Sequence, residues 1–154
     1  MADSRRFRDA LGRYPTGVAI VTTFADGKAL GMTVNSFASV SLDPPLVLWS
    51  VEKGSDRHGL FTRATHWGVN VLAADQSELA NACAMKADIE ACGGLWGGDA
   101  VPLLEGAVAR FTCQAEAVHP GGDHDILVGR VIALDTPRDA PSLVFHRSSY
   151  SEAG

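Results

Sequence analysis

The run Val18-Ala-Ile-Val-Thr-Thr23, bounded by Gly17 and by Ala25-Asp-Gly27, constrains the fold more than any other stretch of the chain. β-Branched residues pack well on a pleated surface, and an Asp-Gly pair tolerates the positive φ that a tight hairpin demands. The pattern predicts a strand, a turn and a hairpin partner over 29–34. Similar signals follow at 36–41, at 46–51 after Pro44-Pro45, and at 67–72, 107–118, 126–134 and 143–145. Helical spacing is confined to short stretches. Residues 4–12 put Phe7, Ala10 and Leu11 on one face, with Ser4 as the expected N-cap and Pro15 as the stop. Residues 55–64 read as a second helix, and 75–85 as a third with Asp75 and Glu78 spaced for a capping box. The stretch Cys92–Gly98 carries four glycines and no period, and reads as a mobile loop. Many short strands without regular β–helix alternation exclude a doubly wound parallel sheet and favour a mainly β fold, a closed or split antiparallel barrel.

At 154 residues the chain suits one domain over its whole length, 1–154. A composition 46% hydrophobic and 20% charged supports a real core. Its longest apolar stretches, such as 46–49 and 132–134, are too short to span a bilayer, so no membrane association is expected. The charged start Met1-Ala-Asp-Ser-Arg-Arg-Phe-Arg has no apolar block behind it, so no signal peptide is expected and the cytoplasm is the default location. A net charge of −5 leaves no cationic excess to displace counterions, which argues against nucleic acid as a partner. Cys83, Cys92 and Cys113 are odd in number and widely spaced, suiting neither a disulfide framework nor a zinc site. The Rossmann, P-loop, HExxH and GxSxG patterns are all missing, so a nucleotide-like ligand would need another kind of site.

Three stretches carry chemistry. In Gly31–Pro45 small polar residues (Thr33, Asn35, Ser36, Ser39, Ser41) interleave with apolar ones. Amides and hydroxyls in mid-strand are costly unless their hydrogen bonds are used. A flat heteroaromatic ligand with amide-like edges would use them; so would an edge strand with a wet face, or a bulge. In Glu52-Lys-Gly-Ser55-Asp-Arg57-His58 a strand gives way to a helix, and a capping hydroxyl beside a guanidinium makes an anion site. The plainer alternative is a helix cap beside a solvated arginine. In His119-Pro-Gly-Gly-Asp-His124-Asp125 two glycines allow a tight loop from which His124 projects. Two histidines five apart do not supply a metal's ligands, so no metal is expected. A polar hairpin loop is the alternative there, unless His124 faces a site built elsewhere.

Taken in order, Phe7–Thr23, Gly31–Val47, Trp67-Gly-Val-Asn-Val-Leu72, Gly122-Asp-His124 with Val128-Gly-Arg-Val131, and Ser149-Tyr150 resemble the flavin reductase-like family over nearly the whole chain. These are small NAD(P)H:flavin oxidoreductases that serve two-component monooxygenases. The resemblance implies a split β-barrel, a homodimer, and FMN or FAD in a groove near the dimer interface. It implies flavin-ring contacts at Thr33, Val34, Asn35, Ser36, Ser39 and Val40, phosphate contacts at Ser55 and Arg57, and a further cofactor contact at Tyr150. It sets His124 near the nicotinamide of NADH or NADPH, as the catalytic-site histidine. One departure bears on the nicotinamide side: after Leu79-Ala80 the family's phenylalanine-bearing segment is replaced by Asn81–Lys86 and the glycine-rich loop.

Hydride transfer is the cofactors' own chemistry, so such a protein must bring the two rings together and hold them. His124 is therefore expected to position rather than to be indispensable. The expected function is NAD(P)H-dependent reduction of FMN or FAD, with the reduced flavin diffusing to a separate monooxygenase. Two rivals stand beside it: a flavoprotein of the same fold reducing another acceptor such as a corrinoid or quinone, and, from a different class, a non-catalytic flavin carrier or binding module.

Overall fold

Helix α1 (Ser4–Gly12) and the two-residue strand β1 (Thr16–Gly17) precede a hairpin of β2 (Ala19–Ala25) and β3 (Lys28–Val34) in the computed structural model, which describes residues 3–154. Strands β4 (Ala38–Leu42) and β5 (Pro45–Glu52) follow, then α2 (His58–Thr62), β6 (His66–Val71), α3 (Ser77–Met85) and α4 (Ile89–Cys92). A small ribbon of β7 (Trp96–Gly97) and β8 (Leu103–Leu104) leads into the long hairpin of β9 (Ala109–Gly121) and β10 (His124–Asp135). A last hairpin, β11 (Ser142–His146) and β12 (Ser149–Ala153), completes the fold.

Seven strands form one antiparallel sheet in the order β3-β2-β6-β9-β10-β5-β4. Its two edge strands, β3 and β4, are consecutive in the chain and joined only by residues 35–37. The sheet therefore curls until its edges are neighbours, yet they do not pair. This is a split barrel, and the split lies at residues 34–38.

β2 shows why the barrel is filled on both sides. Its side chains alternate, sending Ala19 and Val21 into the barrel core with Trp49, Phe61, Trp67 and Leu127. Val18, just ahead of β2, and Ile20 pack in an outer cluster with Leu72, Ile89, Leu104 and Leu143. A strand buried on both faces loses the apolar–polar alternation, as the run at 18–21 does. Trp49 meets Phe61 and Trp67 edge-on at centroid distances of 5.0 and 5.8 Å. Phe61 belongs to α2, which is thereby plugged into the barrel; burying such a ring contributes roughly 1.5–3 kcal/mol. At Gly129 a Cβ would lie 2.5 Å from the Trp67 ring, so the wall there admits only glycine.

Several local expectations are corrected. Asp3, not Ser4, caps α1, its carboxylate accepting from the Arg5 N–H at 3.1 Å. α1 buries none of its residues against this chain, and Phe7 and Leu11 remain 54% and 56% exposed. The third helix has no Asp75–Glu78 box: it begins at Ser77 without a side-chain cap, after a 3-10 turn over Ala74–Gln76 in which the Gln76 side chain accepts from the Ala73 N–H at 2.9 Å. Asp75 instead turns outward to Arg138, whose guanidinium holds its carboxyl below the ordinary range. The second helix spans only His58–Thr62, because Ser55–Arg57 are taken up by a turn. Residues 92–98 are not a free loop. Trp96 packs on the outer cluster, its indole donates to Gly93 O at 2.9 Å, and Trp96-Gly97 pair with Leu103-Leu104. The strand expected at 36–41 begins at Ala38, and β12 carried too little apolar character to be read from sequence.

Candidate active site

Three distant segments meet at the split. The first is the end of β3 and its linker. Thr33 Oγ1 donates to Ala80 O at 2.6 Å, which ties β3 to α3. Ser36 Oγ accepts from Ser50 N–H at 3.0 Å and donates to Ser50 O at 3.3 Å, which ties the linker to β5. Val34 is buried. Asn35 stands between these ties, exposed, and its amide has no partner among the described residues. Thr33 and Ser36 therefore build the walls, and Asn35 is the group left with open hydrogen-bonding capacity.

The second segment is the turn after β5. Ser55 N–H donates to Glu52 O at 3.1 Å, and Arg57 N–H donates to Ser55 Oγ at 3.1 Å. The Arg57 guanidinium is only 6% exposed. It donates to Gly31 O and Cys83 O through Nη1, at 3.2 and 2.5 Å, and to Ala84 O through Nη2 at 3.2 Å. Arg57 thus clamps β3 to the last turn of α3, using three of the five N–H groups of a guanidinium. Nε stands 3.8 Å from the Asp56 carboxylate, which also lines the groove, so the second Nη2 hydrogen and the Ser55 hydroxyl hydrogen are the donors left for an anion. The helix-terminus part of the anion argument does not hold, since α2 has one short turn beyond His58.

The third segment is the β9–β10 turn, where Gly122 adopts φ +72°. His124 opens β10 rather than sitting in the loop, and lies across from Glu52 on β5. Its Nδ1 is 2.7 Å from Asp123 Oδ1, and this contact holds the Asp123 carboxyl below the usual carboxylate range.

Together these segments enclose a groove of about 460 Å³, with Thr33, Val34, Asn35, Ser36, Ser55, Arg57 and His124 on its walls. A volume in the range of roughly 300–1,000 Å³ is usual for small-molecule sites. A smaller hollow of about 190 Å³ shares Thr33, Val34 and Asn35 with it and adds Val18, Phe145 and Tyr150. The two hollows adjoin along residues 33–35, and together they make up the candidate trough. Burial raises the pKa of the Tyr150 hydroxyl there above its ordinary value.

Two expected residues are not brought to the trough within one chain. Ser39 and Val40 lie at a bulge on the exposed edge strand β4. The trough also has lining that the sequence reading did not single out: Val18, Met32, Ser50, Glu52, Asp56, Ala84 and Phe145. Glu52 lies opposite His124 through the β5–β10 register, which the sequence pattern does not specify. A larger cleft of about 610 Å³ separates α1 from the β11–β12 turn, lined by Arg5, Arg8, Arg13 and Arg147. It gathers only solvated side chains and none of the residues of the trough. Among the described residues no group of three or more His, Cys, Asp or Glu side chains could hold a metal ion, and no helix is long and apolar enough to cross a membrane.

Residues 11–154 match the model of the flavin reductase like domain. The chain belongs to the flavin reductase-like family. Among relatives, it is 45% identical to the FMN reductase (NADH) of Agrobacterium fabrum, over 96% of this chain and 85% of that protein. It is 38% identical to the reductase subunit of a flavin-dependent monooxygenase from Rhodococcus jostii, over 97% of this chain and 77% of the other. Among solved structures, the NADH:FAD oxidoreductase of Streptomyces globisporus C-1027, seen with NAD and FAD fragments, superposes with a TM-score of 0.92. That pair is 35% identical, covering 99% of this chain and 93% of the other. The split barrel found here is thus the architecture of flavin reductases.

Proposed function

We propose that this flavin reductase-like protein oxidises NADH or NADPH and reduces FMN or FAD bound in the trough, releasing reduced flavin to a separate monooxygenase. The observation that carries the reading is the convergence of residues 33–36, 55–57 and 124 on one groove, although they span about ninety positions of sequence. The donor set fits a flavin. Asn35 offers an unpartnered amide at the ring edge, and Ser55 with the free Nη2 hydrogen of Arg57 offers an anion seat at the other end. When bound, the flavin supplies the hydride acceptor. Asn35 and the walls tied by Thr33 and Ser36 orient it, and donors fixed beforehand stabilise charge without reorganising. His124, steadied by Asp123, stands at the rim where it can hold the nicotinamide against the ring. NADH is the first choice of donor, because the relatives at hand are named for it.

The protein acts as a homodimer in this reading. Leu42, Ile132 and Leu134 are exposed apolar residues, 94%, 51% and 65% accessible in one chain, and Val40 is half exposed. A second copy covering the β4 edge would bury them through a symmetric contact and bring Ser39 and Val40 to the flavin. Steady-state oxidation of NADH and NADPH with FMN, FAD, a quinone and a corrinoid tests the function. Rapid turnover with free flavin is expected. Turnover confined to another acceptor would overturn the reading, and so would a bound flavin that NADH does not bleach. Light scattering that finds an active monomer at micromolar concentration would remove the dimer.

A further inference from the structure

His58 and Asp125 take no part in lining the trough, yet each directly follows a residue that does. His58 Nε2 lies 2.7 Å from Asp125 Oδ2, with the two side chains 26% and 16% exposed. Arg57 precedes His58 and His124 precedes Asp125. Successive strand residues face opposite ways, so Asp125 points away from the groove that His124 lines. Its cross-strand partner on β5 is Val51, a core residue. His58 opens α2, whose Phe61 is 1% exposed in the barrel core, and Thr62 Oγ1 donates to His58 O at 2.9 Å. The pair is therefore a side-chain link, behind the groove wall, between the Ser55–Arg57 turn and the start of β10.

We propose that the His58–Asp125 pair is a positioning strut that sets His124 relative to the anion turn, and so aligns the nicotinamide with the flavin. The inference rests on the reading of His124 given above. The β5–β10 ladder and the Lys53 N–H to Asp123 O bond, 2.9 Å, already join the two strands. Arg57 fixes the turn to β3 and α3, and Phe61 anchors the far side of α2; among the described residues the His58–Asp125 pair is the side-chain hydrogen bond that joins the first residue of that helix to β10. A charge-assisted hydrogen bond there fixes the spacing between the turn and β10. Misplacement of a positioning group weakens alignment more than it weakens the fold.

The test uses the full chain with His58→Phe, Asp125→Ala and His58→Gln, each alone and in the His124→Ala background. Flavin dissociation constants, nicotinamide KM and kcat are measured. His58→Phe and Asp125→Ala should each raise nicotinamide KM on the order of tenfold, the scale of a lost hydrogen bond to a charged group, with a smaller change in kcat. Combining His58→Phe with Asp125→Ala should be no worse than either alone. His58→Gln keeps a donor and should recover most of the loss. With His124 already removed, His58→Phe should add less than about twofold, because the strut then has nothing to position. An equal penalty in both backgrounds, or a folded His58→Phe with wild-type KM, overturns the strut. If His124→Ala alone keeps the wild-type KM, it is the role of His124 that fails, and the strut fails with it; if His124→Ala raises KM and His58→Phe does not, only the strut fails.

Discussion

Two asparagines in this barrel look alike in sequence and have opposite fates. Asn70 lies on β6, fully buried, and both of its N–H groups and its amide oxygen are engaged within the protein. Its Nδ2 donates to Ile20 O at 3.0 Å and to Thr22 Oγ1 at 3.3 Å, and its Oδ1 accepts from Leu104 N–H at 2.8 Å. Thr22 Oγ1 in turn donates to Pro102 O at 2.6 Å, so the pair fastens the β8 segment across the sheet. Gly68 makes room for this: a Cβ there would sit 2.6 Å from Thr22 Oγ1. Asn35 lies at the split, exposed, with an amide that no described residue satisfies. A satisfied buried amide specifies structure, whereas an open one at the lip of a groove is available to a ligand.

The comparison can be broken most severely at Asn70. Asn70→Leu should strand the Leu104 N–H in the interior, remove the donors to Ile20 O and Thr22 Oγ1, and lower stability by about 2–4 kcal/mol. Denaturant unfolding measures it, and a loss under half a unit would show that the network is not structural. Arg57 is intermediate, being both clamp and candidate anion ligand. Arg57→Ala should lose about 2–3 kcal/mol of stability from three orphaned carbonyls. It should also weaken FMN more than riboflavin, which offers no phosphate. Equal losses for the two flavins would assign Arg57 wholly to the clamp. Asn35→Leu should leave the unfolding midpoint unchanged and cost about 1–3 kcal/mol of flavin affinity, read by fluorescence quenching. A destabilised protein with normal flavin binding would reverse the contrast between the two asparagines.

The smallest effect concerns the cysteines. Burial pushes the Cys113 thiol up to about 12 and raises that of Cys83 as well, while Cys92 is only half buried. A thiol reagent at neutral pH should label Cys92 readily and the other two only on unfolding. Activity should not change, since none of the three lines the trough. Rapid labelling of three thiols in the native protein would contradict the burial.

Much of this molecule was open to reading from the chain alone. The β2–β3 hairpin, the strands β5 and β6, and the long β9–β10 pair follow from period-two patterning and turn residues, both local properties. The segments that meet in the groove were also marked, because small polar residues in strands and glycine-rich turns are locally anomalous. Their division of labour was not marked. Thr33, Ser36 and Arg57 are spoken for by Ala80, Ser50, Gly31, Cys83 and Ala84, partners that only the curled sheet and α3 deliver. The anion turn resembled a helix start because a capping hydroxyl serves a turn and a helix equally well. Sequence determined which residues are polar and where the chain bends, since propensity and steric rules act within a few positions. Tertiary structure alone decided which polar groups are consumed and which stay open, because a hydrogen bond is satisfied by whichever partner comes within about 3 Å, however far away it lies in the chain.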